Sequence, residues 1–117
     1  MLTKEYIKEL KGRGNGDVGQ LINKYQDSAS LTFILENLGQ LPKDFDGSFL
    51  QNLLLHRNSN VRLWAVKTIG KLAKEDYLPV LKNIATIDDD TYVRREAVSS
   101  IGRMRTQNGQ GILIEIL

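Results

Sequence analysis

"VRLWAVKTIGKL" occupies residues 61–72 and "VRREAVSSIGRM" occupies residues 93–104. Six of the twelve paired positions are identical, and Lys/Arg, Thr/Ser and Leu/Met exchanges fill three more. The offset of 32 residues decides the fold. A period of about 20 to 50 residues marks solenoids, in which each unit buries its apolar face only by stacking on the next. Val61, Ala65, Ile69 and Leu72 form one apolar helical face, and Val93, Ala97, Ile101 and Met104 repeat it. A weaker copy, "SLTFILENLGQL", lies 31 residues upstream. There Ile34, Leu35, Leu38, Gly39 and Leu41 match Ala65, Val66, Ile69, Gly70 and Leu72.

Asp27, Asn58 and Asp90 stand in register just before these helices, each a good N-cap type. Shorter helical patterns lie between them. "YLPVLKNIAT" places Leu78, Leu81, Ile84 and Ala85 on one face, with Pro79 tolerable in a first turn. "FLQNLLLH" (Leu50, Leu53, Leu54) and "GILIEIL" (Leu113, Ile116) are its equivalents, and Val18, Leu21, Ile22 and Tyr25 give another. No stretch alternates with period two for long, so strands are not expected. The chain reads as all-α, a solenoid of stacked antiparallel helix pairs with about seven helices. The units are an N-terminal helix at 3–11, repeats at about 17–41, 45–73 and 76–105, and an incomplete one at 108–117.

The unit resembles the HEAT repeat, in particular the short bacterial-style form. In that family a helix A is followed by a turn carrying Asp and by a helix B opening with Val-Arg. Asp88, Val93 and Arg94 match the pattern, with Pro79 as the helix-A proline. The resemblance implies a pairing of Asp88 with Arg94. The second unit has Val61 and Arg62, but His56 stands at the turn-Asp position, so the family's Asp–Arg ladder is expected in the third unit only. "GILIEIL" ends the chain without a polar capping repeat. Leu113, Ile114, Ile116 and Leu117 therefore suggest an N-terminal fragment of a longer chain, or a helix that packs on another molecule, self-association included.

Charged residues at 26% and hydrophobic ones at 41% suit an ordinary globular domain. No apolar run approaches the roughly 20 residues of a membrane helix, and "MLTKEYIKEL" shows no secretory h-region. Cysteine is absent, which removes thiol and disulfide chemistry, and a cytoplasmic location is the default expectation. The formal charge of +2 is too small to imply nucleic acid by itself. Its distribution is uneven. Residues 1–55 carry six Lys/Arg against seven Asp/Glu, and residues 56–105 carry ten against six.

Motifs with chemical overtones read better as structure. "GNGDVG" (14–19) spells a dinucleotide fingerprint, yet it follows a helical pattern where the fingerprint needs a strand. Gly12, Gly14 and Gly16 read as a helix C-cap and loop. Asp88, Asp89 and Asp90 at a helix start cap amides and complement the helix dipole. His56 is the lone histidine, short of both a zinc site and an oriented general base. The sequence therefore points to no catalytic residue, metal or cofactor.

One strip beside the core face stands out. Trp64, Lys67, Thr68 and Lys71 share a flank, matched by Glu96, Ser99, Ser100 and Arg103 in the third unit. HEAT resemblance implies that B helices line a concave binding face. An aromatic residue where the neighbouring repeat has Glu96 is not demanded by the core, and aromatics beside cations anchor interfaces. Trp64, Lys67, Lys71, Arg95, Ser99 and Arg103 are thus the candidate partner-binding residues, for a protein or an adjacent domain of the same chain. Nucleic acid is the alternative, with Lys67, Lys71, Arg95 and Arg103 on phosphates. A bilin lyase-like role, known for proteins of similar repeats, is a third reading by fold analogy.

Overall fold

The structure, a computed structural model, describes residues 2–13, 15–42, 44–45 and 47–116, the side chains of 15 and 16 excepted. Seven α-helices run in order among them: α1 Lys4–Arg13, α2 Asn15–Lys24, α3 Ser28–Glu36, α4 Ser59–Leu72, α5 Leu78–Ile87, α6 Thr91–Met104 and α7 Gln107–Ile116. Two 3-10 segments, Ser48–Leu55 and Glu75–Tyr77, complete the set, and no strand occurs among the described residues. The molecule is an all-α solenoid, 44 × 28 × 17 Å in extent. α3, α4 and α6 pack side by side as one layer. The Ser48–Leu55 segment packs on α4, α5 on α6, and α7 on both α5 and α6.

The predicted N-caps start the three layer helices. Asp27 accepts from the Ser30 N–H, Asn58 from those of Asn60 and Val61, and Asp90 from those of Tyr92 and Val93. Both long helices end alike. Ala73 and Arg105 adopt the left-handed conformation at φ 53° and 52°, and their N–H groups close on the Gly70 and Gly102 carbonyls. The predicted faces are buried: Val61, Ala65, Ile69 and Leu72 on α4, and Val93, Ala97, Ile101 and Met104 on α6. Full burial of a side chain such as Val61 or Ile101 stabilises by about 1.5–3 kcal/mol. Leu50, Leu53, Leu54, Leu78, Leu81 and Ile84 fill the space between the layers.

Four expectations need correction. The helix of the first repeat stops at Glu36, five residues short of its copies. Asn37 caps it through the Phe33 carbonyl, Gly39 turns the chain at φ 62°, and the Lys11 ammonium donates to the Leu38 and Gln40 carbonyls. Leu38 stays buried although it has left the helix. Residues 48–55 form a 3-10 segment in place of an α-helix. Side chains at i and i+3 eclipse in that geometry, which stacks Leu50 on Leu53 toward α4.

Next, Gly12 lies inside α1, and α2 already begins at Asn15, so Gly16 is helical too; Gly14 lies outside the described residues. The helix preceding "GNGDVG" is present, as the reading against a dinucleotide loop requires. Last, Arg94 bonds within the turn as expected, but not to the Asp88 carboxylate. The Arg94 guanidinium donates to the Asp88 backbone carbonyl and to Thr91 Oγ1. The Asp88 carboxylate instead takes Arg62, one repeat earlier, at 3.0 Å from Nε and 3.2 Å from Nη2. His56 does not prevent this rung, because the acid comes from the following turn. On α7, Ile112, Leu113 and Ile116 are half-buried and Ile114 is 81% exposed, while Leu117 lies outside the described residues.

Candidate functional site

The distance between α4 and α6 is set by a glycine. A Cβ added to Gly70 would fall 2.5 Å from Ser100 Oγ and 2.7 Å from Ser100 Cβ, closer than real Cβ atoms come. The helices therefore touch there, backbone against side chain. Ser100 is fully buried, with Oγ 3.4 Å from the Val66 carbonyl it can donate to. Thr68, at the equivalent position of α4, is buried as well and donates to its own helix at the Trp64 carbonyl, 2.7 Å away. Polar side chains are tolerated at this seam because each finds an acceptor.

Beside the seam lies a surface recess of about 420 Å³, lined by Trp64, Lys67 and Lys71 from α4 and by Glu96 and Arg103 from α6. Trp64 is half-buried and packs against the core. The Lys67 ammonium stands 4.7 Å from the indole centroid and 4.0 Å from Glu96 Oε1. Arg103 Nη2 donates to Glu96 Oε2 at 2.7 Å and to Ser100 Oγ at 3.0 Å. Glu96, only 15% exposed, thus engages two cations, one from each helix. Lys71, exposed, has no carboxylate partner among the described residues. Three cations against one anion leave an excess of positive charge beside an indole face. Such an arrangement suits an incoming carboxylate or phosphate oxygen with an apolar group next to it.

Of the six residues singled out from the sequence, Trp64, Lys67, Lys71 and Arg103 come together here. Arg95 and Ser99 are exposed on α6 but do not line the recess. Glu96 entered the sequence reading only as the counterpart of Trp64, yet it is the residue that organises the cluster. A signal was present: Glu96, Ser100 and Arg103 fall at i, i+4 and i+7, which puts the acid and the arginine on one face.

A second polar cluster joins the turns. Arg62, 12% exposed, binds Asp88 on the next turn and reaches Asp89 at 3.0 Å, while its Nη1 donates to the His56 and Arg57 carbonyls. His56 Nδ1 accepts from the Asn58 N–H at 3.0 Å, as Asp88 Oδ1 accepts from the Asp90 N–H at 2.9 Å, 32 residues on. The imidazole thus substitutes for the turn carboxylate, with its proton on Nε2. Asp88, Asp89 and Asp90 are divided between the rung and the cap of α6, and no cluster suited to a metal ion occurs among the described residues.

No helix among the described residues is long and apolar enough to cross a membrane. No curated protein and no solved structure matches the chain. The family model of HEAT repeats matches residues 23–117, which takes in the Arg62 rung, the Gly70–Ser100 seam and the recess. HEAT repeats generally serve as scaffolds for protein interaction and are typically non-catalytic. With four-fifths of its length covered by that match and its helices stacked by a repeated register, the chain belongs to the HEAT repeat family.

Proposed function

We propose that the protein is a non-catalytic interaction module that holds a protein partner, or another domain of its own chain, on the exposed flank of α4 and α6. The observation that carries this reading is Trp64. Its indole is half-buried in a recess with Lys67 and Lys71 beside it, at a register position where the next repeat does without an aromatic. Half-exposed tryptophans and arginines are enriched among residues that dominate binding energy. The excess of cations favours a partner segment bearing acidic side chains. Nucleic acid fits less well, since Glu96 already engages Lys67 and Arg103, two of the four cations that phosphates would need.

The test uses the single tryptophan as a reporter. Proteins captured by the wild-type chain and lost by a folded Trp64→Ala, Lys67→Glu variant are purified and titrated against wild type, following Trp64 emission. A shift that saturates, and a loss of affinity of at least tenfold in Lys67→Glu, are expected. Equal capture by the folded double variant removes this face from consideration. Titration with a short DNA duplex at low salt forms the second arm, in which binding that falls steeply with salt would favour the nucleic-acid reading instead.

A further inference from the structure

Lys71 lines two recesses at once. The first is the one beside Trp64. The second, of about 470 Å³, lies at the C-terminal end of α4, where Leu72, Ala73 and Lys74 line it together with Leu41 and Pro42. Leu41 is half-buried against the core and Pro42 is exposed, which gives this second recess an apolar wall. Of its two cations one is already engaged, since the Lys74 ammonium donates to the Phe45 carbonyl at 2.7 Å. Lys71 is exposed and has no carboxylate partner among the described residues. Trp64 stands two helical turns, about 10 Å, before it. Along α4 the order is therefore an indole, an uncompensated cation and an apolar wall.

We propose that this flank takes an extended polypeptide segment lying along α4, with one acidic side chain between two apolar ones in the pattern apolar-x-acidic-x-apolar. The proposal rests on the reading of the Trp64 recess as a binding face and names the chemistry of what it binds. In an extended chain alternate side chains share a face, and residues four apart stand about 13 Å from each other. That span carries one apolar side chain against the Trp64 indole and the other against Leu41 and Pro42, with the acid at Lys71. Glu96 limits the pattern to a single acid. It already engages Lys67 and Arg103, so a second carboxylate at the Trp64 end meets its negative charge. The end of α4 favours an extended occupant over a helical one. Helix termini leave carbonyls without intrahelical donors, and an extended backbone brings N–H groups to them where a helix has its own already bonded.

A phage-displayed library of random heptapeptides serves as the probe, depleted on the Trp64→Ala protein and then selected on wild type. The enriched peptides should carry Asp or Glu with an apolar residue two positions to either side. One of them, synthesised, should shift Trp64 emission saturably. Its affinity should fall at least fivefold with Lys71→Ala or Pro42→Glu, both at exposed positions, and should be kept by Lys71→Arg. Replacing the central acid of the peptide by its amide should cause a similar loss, and reads the same contact without altering the protein. Enriched peptides without a preferred acid, or an affinity indifferent to both Lys71→Ala and Pro42→Glu, overturn the proposal and leave the Trp64 reading standing. If no selected peptide distinguishes wild type from Trp64→Ala, both readings fall.

Discussion

Replacing Arg62 by methionine tests the cross-repeat rung most directly. The substitution keeps an unbranched apolar stem of similar reach and removes the guanidinium. Asp88 then loses both of its charge-assisted hydrogen bonds and keeps only the Asp90 N–H. Its side chain is 8% exposed, so the carboxylate is left nearly dry without a counter-charge. Removing one partner of a buried ion pair costs about 3–5 kcal/mol. The neighbouring Asp89 is 93% exposed, which shows that water stands close by and argues for the lower end, about 3 kcal/mol. For a chain of this size that corresponds to a fall in Tm of roughly 10 °C.

Urea unfolding at pH 7 measures the loss, and a cycle with Asp88→Asn isolates the pair. Asparagine keeps the acceptor for the Asp90 N–H, so the turn itself survives. The double variant should be more stable than the sum of the single losses by at least about 1 kcal/mol. Asp89→Asn, on the exposed arm of the same arginine, should cost about 0.5 kcal/mol or less. Because the rung joins adjacent repeats, Arg62→Met should also broaden the transition as nearest-neighbour coupling weakens. A loss below about 1 kcal/mol for Arg62→Met, or strict additivity in the cycle, would refute the rung as a structural link.

Gly70 and Gly102 occupy equivalent positions and should respond with opposite signs. Gly70→Ala forces a methyl into Ser100 and should cost about 1–3 kcal/mol, whereas Gly102→Ala, at an exposed position, makes only an ordinary contact with Leu113 Cδ1 at 3.9 Å and should gain up to about 1 kcal/mol; thermal melts of the two variants decide this. His56→Ala strands the Asn58 N–H and should lose about 1 kcal/mol in chemical denaturation, while His56→Asp, which restores a turn acceptor, should stay near wild type. Hydrogen bonds from Ser30 hold the Asp27 carboxyl below its usual range. A depressed folded value means that this contribution is complete above the unfolded carboxylate value and fades as pH falls through the folded one. Asp27→Asn should therefore differ most from wild type at neutral pH and converge with it in acid, as read from urea midpoints across pH 2–7.

The architecture was legible because stacking repeats demand the same buried face at each step. The apolar positions of "VRLWAVKTIGKL" recur for that reason, and so do the caps Asn58 and Asp90, which serve backbone groups inside one unit. Departures from the regular pattern were less legible. Ending α3 at Glu36 depends on Lys11 reaching two carbonyls from another helix, and the 3-10 geometry of 48–55 depends on how three leucines meet α4. Arg62 and Asp88 are both conspicuous in the sequence, yet the resemblance assigns Asp88 to Arg94 and leaves Arg62 without a turn acid. Within one repeat, Arg94 is the arginine nearest to Asp88 along the chain, but its donors face the carbonyl of that residue. The carboxylate faces backward, toward the preceding repeat.

The recess shows the same division more sharply. Helical spacing puts Trp64, Lys67 and Lys71 on one flank of α4, and Glu96 and Arg103 on one flank of α6. What it does not give is the relation of the two flanks, which follows from the close contact of Gly70 with Ser100. A larger residue at either position would separate the helices and draw Glu96 away from Lys67, already at the 4.0 Å limit of an ion pair. The seam glycine therefore governs the charge of the recess as well as the packing beneath it. Gly70→Ala should then do more than destabilise. With the fold retained, it should loosen Lys67 from Glu96 and shift Trp64 emission, whereas Gly102→Ala should leave that emission unchanged. Unaltered Trp64 emission in a folded Gly70→Ala variant would show that the recess keeps its geometry independently of the seam.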